Sequence, residues 1–210
     1  TIGMVGIVED VARVTTAAFK AEGDAIVLAG ANTDELGGSE YLKVIHGLVA
    51  GDAPRVDLAA ESRLQRGVLA AIHSGLVRSA HDTAEGGLAV ALAESAFAAG
   101  GDPFGIDVAL DDAIPANALL FGEAQGRVVL SCEPAKEAEL IRCLQIHGVP
   151  ARRIGTVGER GGVIRIATQG GEIRGLSTLL QDIHENAIPR RMDNSAADVE
   201  TALESEVHRG

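Results

Sequence analysis

The chain has 210 residues, 46% of them apolar but only 2% aromatic, and a formal net charge of −12 from 30 acidic and 18 basic side chains. That length suits one core plus appendages, with Ala, Val, Leu and Ile doing the packing. The acidic balance speaks against a nucleic-acid or anionic-membrane surface, since both reward clustered Lys and Arg, while a local basic pocket for one phosphate stays open.

In chain order, "GMVGIV" (Gly3–Val8) reads as a short buried strand and "VARVTTAAF" as a β-branched edge strand. "GDAIVLAG" is a continuous apolar run between turn residues, the mark of a central strand. "ANTDELGG" is a loop, and a helix starts near Ser39 and ends at Gly47. Asp57 caps the next helix, which places Leu64, Val68, Leu69 and Ile72 on one face and stops at Gly75. "LVRSAHD" is a strand. The helix after it, about Gly86 to Ala99, is so apolar that it must be buried nearly all round. "FGIDVAL" and "RVVLSC" are strands, and Pro134 opens a helix whose inner face is Leu140, Ile141 and Leu144. "RRIGTVG" and "GVIRIAT" suggest a hairpin around "ERGG", followed by a short helix near Leu176 to Glu185. The remainder, "DNSAADVETALESEVHRG", is acidic and weakly apolar, which predicts a frayed helix or a disordered tail. Strands and helices in mixed order predict a three-layer α/β (α+β) domain with a mixed β-sheet.

No apolar run reaches the ~18 residues of a membrane span, and no signal peptide is evident, so a cytoplasmic protein without a membrane partner is expected. Cys132 and Cys143 lie in no CxxC or metal-spaced pattern and read as reduced thiols. The chain begins in a strand-like run without an initiator Met, which suggests the middle of something longer.

Three stretches carry chemistry. In "AHDTAEGGLAVALAE" a strand ends at His81-Asp82, and Gly86-Gly87 opens a helix whose free N–H groups can hold an anion. Asp82 and Glu85 would repel a phosphate unless a cation intervened, and a tight turn with Asp82 accepting backbone N–H bonds explains the residues as well. "ELGGSEYLK" repeats the device: Gly37, Gly38 and Ser39 can cradle an anion with Lys43 one turn on, or Ser39 is a plain N-cap. In "LFGEAQGRVVLS", Glu123, Gln125 and Arg127 surround a glycine at the start of a strand. A carboxylate, an amide and a guanidinium can read a polar ligand there, with Arg127 forking onto phosphate, or Glu123 and Arg127 can pair within a solvated turn. There is no P-loop, no HExxH and no Ser-His-Asp order, so no catalytic residue and no metal ligand is assigned.

Taken together and in this order, "LGGSEYLK", "AHDTAEGGLAVALAE" and "LFGEAQGRVVLS", with the "RIGTVG" strand, resemble the C-terminal α/β domain of phosphoribosylformylglycinamidine synthase, synthetase subunit. That family belongs with aminoimidazole ribonucleotide synthetase. The resemblance spans about Thr1 to Met192. It implies a last strand of a preceding ATP-binding domain and linker over 1–10, the α/β domain over 11–192 and an acidic tail over 193–210. It further implies an ATP-dependent, Mg²⁺-assisted ligase of purine biosynthesis that makes formylglycinamidine ribonucleotide from formylglycinamide ribonucleotide and glutamine-derived ammonia. Its partners would be the preceding domains, a glutaminase subunit and a small accessory subunit. On this reading the present stretch is inactive and ligand-free alone, with a homodimer through an exposed Gly3–Val8 strand in view. Thr83, Ala84 and Glu85 replace the family's usual Ser-Asp turn, and Ala124 stands where Ser is common. The alternatives are a truncated kinase of the selenophosphate, thiamine-phosphate or hydrogenase-maturation type, or a stand-alone interaction domain that kept the fold.

Overall fold

Strand β1 (Ala25–Ala29) is buried at all five positions because it has a neighbour on each edge and a helix layer on each face. The computed structural model describes residues 3, 5–8 and 10–192. Within them β1 pairs antiparallel with β4 (Val128–Cys132) on one side and β5 (Ala151–Arg160) on the other. Strands β2 (Ser79–Asp82), β3 (Phe104–Leu110), β6 (Val163–Thr168) and β7 (Gly171–Leu176) complete a seven-stranded sheet of order β2-β4-β1-β5-β3-β6-β7. Only β3 and β6 run parallel, so the sheet is mixed.

Side-chain alternation along β1 divides the interior in two. Ile26 and Leu28 face a core with Leu88 and Leu92 of α3 (Gly87–Phe97) and Leu119 and Leu120 of α4 (Ala116–Phe121). Leu180 of α6 (Ser177–Glu185) packs onto the same core. Ala25, Val27 and Ala29 face the opposite core, with Leu64 and Ala71 of α2 (Leu58–His73) and Leu140 and Leu144 of α5 (Glu137–Ile146). Helix, sheet, helix is the three-layer architecture expected, and α3 is buried as its composition requires. Capping works as read: Ser39 begins α1 (Glu40–His46), and Asp57 begins α2 by accepting from the N–H groups of Ala59 and Ala60.

Several expectations fail for identifiable reasons. β5 and β6 form no hairpin, because β3 lies between them. The two-residue link passes around the start of β3, where the Gly161 N–H donates to Pro103 O at 2.8 Å. The described residues of Gly3–Val8 form no strand, and Val5, Ile7 and Val8 are exposed. A strand needs a ladder partner, and the described residues of this segment have none; the β2 edge is met by Thr16, which bridges Ser79 and accepts from the Ala80 N–H. "VARVTTAAF" contributes that single bridge and a 3-10 turn at Val11–Arg13 rather than an edge strand. On α2, Leu69 is exposed, and Leu64, Gly67 and Ala71 are its buried residues. α4 and β7 have no signature in the sequence pattern, and the tail from residue 193 lies outside the described residues. No helix among the described residues is long and apolar enough to cross a membrane.

Candidate functional site

β4 starts between the ends of β1 and β2, since Ala29 and Asp82 both register with Val128. The loops that follow β1 and β2 therefore meet the loop that precedes β4 at one end of the sheet. These loops hold the three sequence stretches.

Glu123 joins them. Its Oε1 accepts the backbone N–H of Glu40 at 2.9 Å and the backbone N–H of Gly86 at 2.9 Å, so one carboxylate oxygen ties the starts of α1 and α3. Ser39 is buried, donates to Leu36 O at 2.7 Å and accepts from the Leu42 N–H at 3.4 Å, a working N-cap. Gly37 allows backbone contact with the loop at Gly51 and Asp52, where a Cβ would stand 2.2 Å from Asp52 O. Gly87 has φ 72°, and a Cβ there would meet Gly122 O at 2.7 Å and Phe121 C at 2.8 Å. Gly87 thus serves close backbone approach, while Gly86, at φ 81° and against the Val90 side chain, supplies the left-handed entry to α3. The anion position that they frame is filled by the protein's own carboxylate.

Arg127 lies behind this clasp and is only 2% exposed. Its guanidinium donates to Gly122 O and, at 3.2 Å, to Asn32 Oδ1. The Glu123–Arg127 pair does not form, because Glu123 turns to the helix starts and Arg127 to neutral oxygens; among the described residues no carboxylate comes within ion-pair distance of Arg127. Burial lowers its pKa, although a guanidinium keeps its charge. Its Nε and the Nδ2 of Asn32 are buried donors without a protein acceptor. Thr83 is buried and its N–H donates to Arg127 O at 3.1 Å, which fixes the β2 loop against β4.

Asp82 and Gln125 are exposed and stand apart from the clasp. With Thr83 and Arg127 they line the polar end of a groove of ≈ 510 Å³ whose apolar side is Leu64, Val68, Leu69 and Ile72 of α2. Among the described residues no backbone N–H donates to Asp82; it lies 3.5 Å from His81 Nδ1, and His81 Nε2 lies 3.0 Å from Glu94. Asn32, Glu35 and Gly122 were not legible as site residues. Glu35 accepts from the Arg55 N–H at 2.9 Å and from the Thr33 hydroxyl, a long-range loop contact with no sequence signature. Among the described residues no three His, Cys, Asp or Glu side chains gather as metal ligands.

A mixed three-layer sheet whose glycine-rich loops meet at one end is the frame of the AIR synthase related protein, C-terminal domain. That family's profile matches residues 21–167, and the chain belongs to it. Within the family it is similar to the phosphoribosylformylglycinamidine synthase subunit PurL. The subunit of Symbiobacterium thermophilum is 43% identical over 207 residues, covering 92% of this chain and 26% of that protein. That of Caldanaerobacter subterraneus is 44% identical over 156 residues, 74% of this chain and 21% of that protein. The chain thus spans about a quarter of the length of the curated relatives it matches. Among solved structures, Thermotoga maritima PurL complexed with FGAR has a TM-score of 0.67 at 22% identity, over 81% of this chain and 30% of that one. E. coli HypE, a hydrogenase maturation protein, has a TM-score of 0.51 at 23% identity, over 78% of this chain and 52% of that one. At those identities the likeness is one of fold.

Proposed function

We propose that the chain is the C-terminal α/β part of a phosphoribosylformylglycinamidine synthase, with residues 11–192 as the domain and 1–10 as the approach from a preceding one. The observation that carries this reading is the 43% identity to a PurL subunit over nearly the whole chain. In the reaction, ATP phosphorylates the glycinamide carbonyl oxygen of formylglycinamide ribonucleotide. Ammonia from a glutaminase partner then attacks that carbon, and phosphate departs with the oxygen. A purine-biosynthetic ligase of this kind would work in the cytoplasm with glutaminase and small accessory subunits. Thermotoga maritima PurL has been solved complexed with ATP and as PurLQS, which supports the nucleotide and the assembly for the family.

This chain's share of the work is to shape one wall of the substrate cleft. Gly37, Gly38 and Ser39, with Gly86 and Gly87, shape the two loops that Glu123 ties together through the Glu40 and Gly86 N–H groups. Arg127 supplies buried positive potential behind them, and Asp82 and Gln125 border the adjoining groove. The described residues do not fit a Mg²⁺ site of their own, because no three carboxylate or imidazole groups converge. The assignment is tested by mixing the purified chain with a PurL from which the matching last quarter has been removed. The mixture is expected to regain ATP-dependent amidine formation, and the chain alone to show none. A chain that co-purifies with the shortened enzyme yet restores no amidine formation overturns the reading. The kinase alternative has only the fold likeness to HypE behind it.

A further inference from the structure

The free edge of the sheet carries a self-complementary charge pattern. β7 is the last strand and pairs only with β6, so among the described residues its outer edge has no partner. Residues 171–175 read Gly-Glu-Ile-Arg-Gly, and Glu172, Ile173 and Arg174 are exposed. Arg174 registers with Arg165 on β6, a like-charge neighbour. Arg165 itself is satisfied, by Asp107 at 2.7 Å and Glu172 at 2.9 Å. No ion pair to a carboxylate is made by Arg174 among the described residues. On the other face of the sheet, Val108 registers with Ile166 and Ile166 with Ile173. This apolar row is buried at Val108 and Ile166 and ends exposed at Ile173.

We propose that β7 pairs antiparallel with β7 of a second copy of this chain, about a twofold axis at Ile173, joining two sheets into one. Twofold pairing centred on residue 173 sets 172 against 174. Glu172 then faces Arg174 of the partner subunit, and Arg174 faces Glu172 of the partner subunit. Ile173 meets Ile173 of the partner subunit, which extends the apolar row across the axis. Charged edge strands ordinarily repel further pairing. Here the two charges have opposite sign and straddle the axis, so the edge attracts a copy of itself, as an isologous interface must. Arg174 gains a carboxylate that the described residues of its own chain do not give it. The inference is independent of the ligase reading, and it places the dimer edge at β7 rather than at Gly3–Val8.

The test is analytical ultracentrifugation of the full chain over a concentration series, with Glu172→Arg and Arg174→Glu. Each single change sets like charges across both contacts, so the dimer should weaken by about tenfold to a hundredfold. The double change restores opposite signs and should dimerise, and an equimolar mixture of the two single variants should form a heterodimer. Arg174→Glu also puts a carboxylate opposite Arg165, so its thermal midpoint should hold, which separates loss of pairing from misfolding. Three results would overturn the proposal: a wild-type chain that stays monomeric near millimolar concentration, a dimer that both single variants leave intact, or a variant mixture that stays monomeric while the wild type dimerises.

Discussion

Glu123 holds Gly86: its Oε1 accepts the Gly86 N–H at 2.9 Å, and the same oxygen accepts the N–H of Glu40 at 2.9 Å. The two partners lie 83 and 37 residues away in sequence, so the bond fixes how α1 sits against α3. A carboxylate at two helix starts is favoured by the exposed N–H groups and by the helix dipole. Any ligand anion arriving here must compete with it.

Glu123→Ala leaves two backbone donors without an acceptor and should cost about 1–3 kcal/mol. Glu123→Gln keeps an oxygen acceptor without the charge and should cost less. Urea denaturation gives the ranking, and hydrogen exchange should speed at Glu40 and Gly86. Unchanged exchange at both amides in the Ala variant would show that the clasp is not formed in solution.

Gly87→Ala should be among the most damaging single changes. The position has φ 72°, and the new methyl would meet three backbone atoms, Gly122 O, Phe121 C and Leu120 O, all within 3 Å. Backbone does not yield as a flexible side chain does, so α3 would have to leave α4, at a cost of about 3 kcal/mol or more. Gly38→Ala is the control: φ is 69° with open space around it, so only the left-handed strain of about 1–2 kcal/mol applies. Equal midpoints for the two variants would contradict the packing described.

The core strands and the buried helix were legible because composition and burial agree there. Ala25–Ala29 has no polar residue to place, and Leu88–Phe97 has almost none. Caps were legible at Ser39 and Asp57 because a cap is a local contact. Pairing order was not. β5 and β6 are joined by two residues and read as a hairpin, yet the partner between them, β3, is contributed from about fifty residues earlier in the chain. The site divides in the same way. Its glycines announce themselves, but the turning of Glu123 toward α1 and α3, and of Arg127 toward Asn32, depends on loops brought together only by the sheet.

Asp57 predicts a pH dependence. The Ala60 and Ala59 N–H groups, which it accepts, hold its carboxyl below the ordinary value of 3.8. A carboxyl lowered on folding contributes stability above its unfolded pKa and loses it as pH falls through the folded value. Asn caps about as well but does not titrate there. The margin of wild type over Asp57→Asn should therefore shrink between about pH 7 and about pH 3 in paired urea titrations. A margin that stays constant across that range would mean that the cap does not sense the charge.

Cys132 and Cys143 are both free thiols, and their environments differ. Cys132 is fully buried on β4, and burial pushes its thiol up to about 11, whereas Cys143 on α5 is partly exposed. The thiolate is the reactive form, so a disulfide reagent at about pH 7.5 should titrate Cys143 in the native protein and Cys132 only after unfolding. Mass mapping of the adducts checks the order, and rapid native labelling of Cys132 would contradict the burial of β4.

Arg127 separates ligand binding from stability. Its guanidinium is 2% exposed and meets only neutral oxygens, on Gly122 and Asn32, with Nε unpartnered. A buried charge without an opposite charge is expensive to keep, and its loss offsets the Gly122 and Asn32 oxygens that Arg127→Met leaves without a donor, so stability should change by no more than about 1 kcal/mol. The same change removes the positive potential behind Gly86 and Gly87. A phosphate or ribonucleotide monophosphate that displaces the Glu123 carboxylate from these N–H groups should shift the amides of Glu85 to Leu88 and of Glu40 in a saturable way when titrated into ¹⁵N-labelled protein. Those shifts should vanish in Arg127→Met while the urea midpoint holds. Loss of both together would make Arg127 a structural residue, and flat wild-type amides up to millimolar ligand would leave Gly86-Gly87 as a turn held by Glu123.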